Sequence, residues 1–392
     1  MSEQSLEQLL YASQFDEASE RLDAGEKLSK AIQSHQTSQI IDNLLRAEQY
    51  GILLRFLEDK TIDTDIYELD NFDRSIFQNL AINLKDDEQG LIFFRELLSR
   101  FDNLNDEVDT KTLLAYFLEK GASVEKVKVL IDAGCDVNFK NNADENFLHQ
   151  IIRTNLRKPE LSSQYMELMI TEGLDVNQPN IVKKTPLIQA IEFNHPEFLD
   201  LLLQNGADPT SQDKDSNSAF YYALAHKQDL DLYLKLSEFT AADFDTVNKD
   251  GVSMLFEFLR MAYPGEKNLK LFTTLLNDGA DLYQMSTYYG KAKAPVDLLA
   301  EKQMEFLAAA LESGQIDIDR QDDQGNTLLH QVCAYNVNFE AEKAKETYRK
   351  VKLLLEHGAD VTIHNDQDKT AQDLASDDNL KIKTVELLMR KA

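Results

Sequence analysis

The side chains of this 392-residue sequence best suited to covalent or metal chemistry are two cysteines, Cys135 and Cys333, and seven histidines. His330 and Cys333 stand one helical turn apart, close enough for an imidazole to take the proton of a thiol and prepare it as a nucleophile. The remaining histidines, at 35, 149, 195, 226, 357 and 364, form no His-x-x-x-His pair. There is also no Cys-x-x-Cys, no Gly-x-Gly-x-x-Gly and no phosphate loop. Free cysteine otherwise behaves as a small buried hydrophobe, and both cysteines are read that way. We therefore expect no enzyme, no catalytic or metal site and no cofactor.

The elements that would carry these residues repeat. The segment Thr185–Asp208 opens with Thr185, Pro186 and Leu187 and closes with Leu202, Leu203, Gln204, Asn205, Gly206, Ala207 and Asp208. Thr185 can cap a helix whose first turn tolerates Pro186. Asn194 suits a left-handed break between two helices, and Gly206 suits a helix end. This unit closely resembles the ankyrin repeat, with its Thr-Pro-Leu-His opening and Gly-Ala-Asp close over about 33 residues. The resemblance implies paired antiparallel helices joined by short hairpins. It also places His149 and His330 in the family's structural histidine slot, which Ile188, Tyr221, Phe256 and Asp297 fill in other units. There the histidine's hydrogen bonding is expected to be absent.

The close recurs at Cys135-Asp136, Leu174-Asp175, Ala242-Asp243, Ala280-Asp281, Ile316-Asp317 and Ala359-Asp360. From that aspartate to the next opening residue the step is ten: Asp136 to Asn146, Asp175 to Thr185, Asp208 to Ser218, Asp243 to Ser253, Asp317 to Thr327, Asp360 to Thr370. Asp65 to Ser75 and Asp102 to Thr112 extend the series upstream, and two earlier pairs are expected to begin near Ser5 and Ser38. The expectation is an all-α ankyrin-type solenoid of about eleven units forming one domain over 1–392. Residues 1–110 are degenerate repeats, 111–369 clearer ones, and 370–392 a capping repeat with Lys381, Lys383, Arg390 and Lys391 on its outer length. Three units are longer, around Pro159, Pro264-Gly265 and Asn336–Lys350. Their extra residues are expected in the helix-to-helix turn, which can lengthen into solvent.

The net charge of −28 repels nucleic-acid phosphate and anionic lipid and attracts a basic protein. No apolar run approaches the roughly 18 residues of a membrane helix, and Met1 to Leu10 lack a basic stretch before an apolar core. With few cysteines, the chain is expected to be cytoplasmic and monomeric when unbound.

Two groups of residues are candidates for binding another protein. The first comprises the acids of the connecting segments, including Asp213, Asp215, Asp250, Asp322, Asp323, Asp366 and Asp368. Each can serve its own turn, yet together they would form a negative stripe. The second is a longer connecting finger between Asp281 and Ala294, bearing Tyr283, Met285, Tyr288 and Tyr289. Its aromatics either contact a partner, as tyrosines in hot spots do, or fold onto the adjacent repeat. The expected function is a protein-protein interaction module, foremost an inhibitor or immunity-type protein for a basic toxin or nuclease. A general adaptor is the alternative, and an enzyme with an unrecognised site comes last.

Overall fold

The computed structural model describes residues 4–29, 34–154, 156 and 158–391. Among them the chain forms eleven helix pairs, and it divides into two compact units, Met1–Ala207 and Asp208–Ala392. The pairs of the first unit begin at Leu6, Ser34, Ile76, Leu113, Phe147 and Pro186. Those of the second begin at Ala219, Met254, Pro295, Leu328 and Ala371.

Nine of the eleven first helices start where a side-chain oxygen takes an orphan backbone N–H. Ser5, Ser75, Thr112, Asn146, Thr185, Ser218, Ser253, Thr327 and Thr370 all do so. Ser38 lies inside the helix Ser34–Arg46, and the residues before that helix, 30–33, lie outside the described residues. In the ninth pair Ala294 has no such oxygen, and the Asp297 carboxylate reaches back to the Ala294 N–H instead (2.8 Å).

The connecting hairpins share one construction. An Asn or Asp five residues before the helix cap, at 141, 180, 213, 248, 322 or 365, accepts two backbone N–H bonds on its Oδ1. The donors lie two and four residues on, as in Asn180 with Val182 (3.1 Å) and Lys184 (3.0 Å). The fourth residue takes φ between +56° and +75°, which Gly251 and Gly325 adopt freely and Asp144, Lys183, Ser216 and Asp368 adopt at some cost. The invariant closing aspartate has a similar local role. Asp136, Asp175, Asp208, Asp243, Asp281 and Asp360 each accept the N–H two residues ahead.

Neighbouring repeats are tied by polar bonds as well as by the buried aromatic pairs Phe94–Phe117 and Phe272–Phe306. His149 bonds its own cap Asn146 through Nδ1 (2.7 Å) and the Lys184 carbonyl of the next hairpin through Nε2 (3.0 Å). His330 repeats this with Thr327 and the Lys369 carbonyl. The slot is not silent where histidine is missing. The Tyr221 hydroxyl accepts from Asn248 Nδ2 (2.9 Å), and Asp297 also accepts from Gln331 (2.9 Å). Ala115, Ile188 and Phe256 leave it apolar.

The first helices are short, and their C-terminal carbonyls carry partial negative charge. In four places a lysine of the next repeat reaches them. Lys126 Nζ lies 3.4 Å from the Ala81 carbonyl, Lys302 bonds Arg260 and Ala262, Lys350 bonds Ala300 (2.8 Å), and Lys381 bonds Cys333 (2.8 Å). Lys381 is thus buried, not on the outer length of the last repeat, whereas Lys383 is exposed beside Glu386. Burial pulls Lys350 down to about 8.

The longer units differ from expectation too. Much of the added length extends the second helix, to 13 residues in Pro159–Thr171, 12 in Glu266–Asn277 and 16 in Ala341–Glu356, against 9 in Pro196–Gln204. A longer helix satisfies its own backbone, whereas a longer loop would need other partners.

Two predictions follow from these bonds. Asn180→Asp retains the acceptor oxygen and Asn180→Ala removes it, so urea unfolding should show the alanine variant about 2 kcal/mol less stable than the aspartate variant, two lost hydrogen bonds. A difference below about 0.5 kcal/mol would refute the role of this side chain. Burial lowers the pKa of His149 and His330 below the ordinary 6.5. The unfolded chain then binds protons the folded chain does not, so their contribution is complete above pH 6.5 and is lost as pH falls below it. The urea midpoint should drop between pH 7 and pH 5, and His149→Gln with His330→Gln should flatten that drop.

Candidate protein-binding surface

In the second unit the hairpin tips place the predicted acids in two different environments. Asp213 is buried, with Oδ1 on the N–H groups of Asp215 and Asn217 and Oδ2 accepting from the Tyr222 hydroxyl (2.8 Å). It belongs to the interior of its hairpin. Asp322 holds the same turn position, with Oδ1 on Gln324 and Asn326, but remains exposed. Asp215, Asp250, Asp323, Asp366 and Asp368 are exposed. Lysines interleave with them: Lys214 precedes Asp215, Lys369 follows Asp368, and Lys249 Nζ lies 3.7 Å from the Asp215 carboxylate. The tips therefore present alternating charge with an acidic excess, not a uniform stripe.

The finger is a two-stranded antiparallel ribbon, Ser286–Tyr288 with Lys291–Lys293. Its four predicted residues separate by what they touch. The Tyr283 hydroxyl accepts the Asp317 N–H (2.9 Å), and the Arg320 guanidinium sits 4.0 Å from the ring centre. Tyr283 thus occupies a bridging role that Asn105 and Asp319 fill elsewhere by binding the Asp136 and Asp360 N–H groups. Tyr288 packs against Phe256 (5.6 Å between centroids) and under Arg260 (5.5 Å), whose guanidinium is held by Glu257. Met285 and Tyr289 face solvent, at 53% and 89% exposure.

In the first unit, a groove of about 320 Å³ lies between the hairpin at Asn141–Glu145 and the first helices Leu113–Lys120 and Phe147–Arg153. It is lined by the ion pairs Lys111–Glu119 and Arg153–Glu145, both 2.6 Å. Beyond it the tip residues Ile181 and Val182 are exposed. These were missed in the sequence, although an apolar pair where other tips carry charge was a visible signal. So was Phe339, at 92% exposure in the turn after Ala334.

Both cysteines are buried free thiols, and burial pushes each up to about 12. They are protonated at neutral pH and unsuited to nucleophilic attack. His330 spends both ring nitrogens on Thr327 and Lys369 and not on Cys333. Among the described residues no group of three His, Cys, Asp or Glu could hold a metal ion, and no helix is long and apolar enough to cross a membrane.

Helix pairs of this construction, capped and joined in this way, define an interaction scaffold. The family model for ankyrin repeats matches three copies over residues 114–213. FPV031, described as an ankyrin repeat protein of Fowlpox virus (strain NVSL), is 24% identical over 119 residues, 30% of this chain and 34% of that protein. The chain thus matches about a third of the length of this curated relative. The solved ankyrin repeat domain of Bcl-3, described as a unique member of the IkappaB protein family, aligns with a TM-score of 0.48 at 20% identity. The alignment covers 61% of this chain and 98% of that domain. Residues 114–213 are thus matched as ankyrin repeats, and capped helix pairs of the same kind continue on both sides of them.

The different settings of the two tyrosines predict different losses. Tyr288→Ala should lower the thermal midpoint by several degrees, since it removes packing on Phe256 and Arg260. Tyr289→Ala should leave the midpoint unchanged and, if the finger touches a partner, weaken binding by about 2 kcal/mol. Equal effects of the two variants on stability would refute the assignment.

Proposed function

We propose that this ankyrin repeat protein binds and neutralises a basic protein, such as a toxin or nuclease, through the hairpin edge of the unit Asp208–Ala392. The observation that carries the reading is the set of exposed tip carboxylates, Asp215, Asp250, Asp323, Asp366 and Asp368, within a unit of 32 acidic and 21 basic residues. Such an excess raises the local concentration of a cationic partner and speeds its encounter. Exposed Met285 and Tyr289 on the same edge supply apolar contact area once the partner arrives. The free chain is monomeric in this reading, and its acidic surface disfavours self-association and direct contact with nucleic acid.

One observation favours an adaptor as the second reading. The acidic excess is not confined to this edge: the unit Met1–Ala207 carries 37 acidic against 20 basic residues and has its own groove and apolar tip. An adaptor would hold two partners at once and leave each active.

Affinity capture from the native cell extract identifies the partner, and stopped-flow mixing then tests the charge argument. Association should slow markedly between low salt and 1 M, where the Debye length shrinks to about 3 Å. Changing Asp215, Asp250, Asp323, Asp366 and Asp368 together to Asn should remove much of that dependence; Asp213 is kept because it holds its own hairpin. Salt-insensitive association, or unchanged kinetics in the five-fold variant, would exclude this edge. A partner that keeps its activity when bound would exclude the inhibitor and leave the adaptor.

A further inference from the structure

The hairpins of the second unit are linked through their backbones. The N–H of one tip donates to a carbonyl of the tip before it: Lys249 to Asp215 (2.8 Å), Thr287 to Gly251 (2.8 Å) and Asp366 to Gln324 (3.0 Å). Between the finger and the hairpin at Asp322–Asn326 no such bond is formed. The run of tip-to-tip bonds is therefore interrupted there, and one side of the break is the outer strand of the finger, Lys291–Lys293.

The register decides which backbone groups face that opening. Tyr289 and Gly290, at φ +48° and +72°, form a two-residue turn, with Tyr288 opposite Lys291, Thr287 opposite Ala292 and Ser286 opposite Lys293. In such a ribbon the pair flanking the turn exchanges hydrogen bonds and the next pair does not. Thr287 and Ala292 thus direct their N–H and C=O groups outward, on opposite edges. The Thr287 edge is taken by Gly251. The Ala292 edge is exposed, and unpaired strand edges are templates for another strand.

Charge selects what would fit there. Lys291 and Lys293 flank Ala292, two residues apart and so on one face of the strand, and neither is in an ion pair. The finger is anchored to the repeat before it. At its base the Ser286 hydroxyl accepts the Ser253 N–H (3.0 Å), and Tyr288 packs on Phe256. At its tip Tyr289 stands in the left-handed region that turn chemistry would give to Asn or Gly. Strain of this kind on an exposed aromatic is a mark of use in recognition.

We propose that the outer edge of the finger, Lys291–Lys293, docks an extended acidic segment of a partner by strand addition. Backbone groups of the segment pair with Ala292, and carboxylates two residues apart lie opposite Lys291 and Lys293, beside Tyr289. The proposal is independent of the basic-partner reading, because it uses none of the tip aspartates.

A fluorescein-labelled (Glu-Val)5 peptide, titrated with the full chain by anisotropy, tests it. Binding is expected, with protection of the Ala292 amide from hydrogen exchange. The peptides (Glu-Pro)5, of equal charge but unable to pair, and (Lys-Val)5 should bind at least about tenfold more weakly. Lys291→Glu with Lys293→Glu, and separately Ala292→Pro, which removes the outward N–H without altering charge, should each cost about tenfold or more in variants whose thermal midpoint is unchanged. Lys291→Gln with Lys293→Gln serves if charge reversal disturbs folding. The proposal is overturned if (Glu-Val)5 fails to bind, if (Glu-Pro)5 binds as well, or if binding ignores both edge variants. Self-association that disappears in Ala292→Pro would also overturn it, by giving the edge to a second copy of the chain.

Discussion

One side-chain oxygen, placed five residues before the helix cap, organises six of the connecting segments of this protein. By accepting two backbone N–H groups at once, Asn141, Asn180, Asp213, Asn248, Asp322 and Asn365 close hairpins whose polar backbone would otherwise lie open to competition from water. The constant step from this residue to the cap sets the direction in which the first helix leaves. That in turn brings His149 and His330 within reach of the next hairpin's carbonyl. Because the closure is local, each hairpin can be built regardless of what its neighbours contain. The helical pair can therefore vary in length while the hairpin does not.

The same bonds explain why net charge is a poor guide to where charge acts. Many acids are committed to turns and helix starts, where the carboxylate serves as an acceptor and only secondarily as a source of field. Asp213 is the extreme case, buried and bonded on both oxygens. Cations show a parallel division. Lys126, Lys350 and Lys381 are buried against helix carbonyls of the preceding repeat, while Lys291 and Lys214 stand at the tips. The buried lysines satisfy backbone acceptors that the short first helices leave open. Such a position needs a long side chain ending in donors, which lysine provides.

The finger departs from the hairpin rule, and its departure is informative. It lacks the Asn or Asp that closes the other hairpins and instead closes by ribbon pairing, with Ser286 and Thr287 bonding the hairpin before it. Replacing a side-chain closure by a backbone ribbon leaves an outer edge, and this edge is where the run of tip-to-tip bonds stops. Tyr283, at the root of the finger, keeps the repeat-to-repeat bond that Asn or Asp makes elsewhere, so the longer connection is accommodated without loss of stacking.

Much of the architecture was legible in the sequence because it rests on short-range chemistry. Caps such as Thr185 and Ser253, the left-handed Asn194, the closing glycines and the ten-residue step are all set by bonds within a few residues, so residue type and spacing determined them. Ser38 lies inside a helix, Ser34–Arg46, and does not open it. What only tertiary structure decided were the partners of side chains that reach across repeats. Tyr283 and Tyr288 turned out to pack on neighbours, while Tyr289 and Met285 remained exposed. Lys381 turned inward to the Cys333 carbonyl, and Asp213 was enclosed by Tyr222. These outcomes depend on contacts between residues some 9 to 48 positions apart, distances over which linear spacing carries no geometric information until the repeats are stacked.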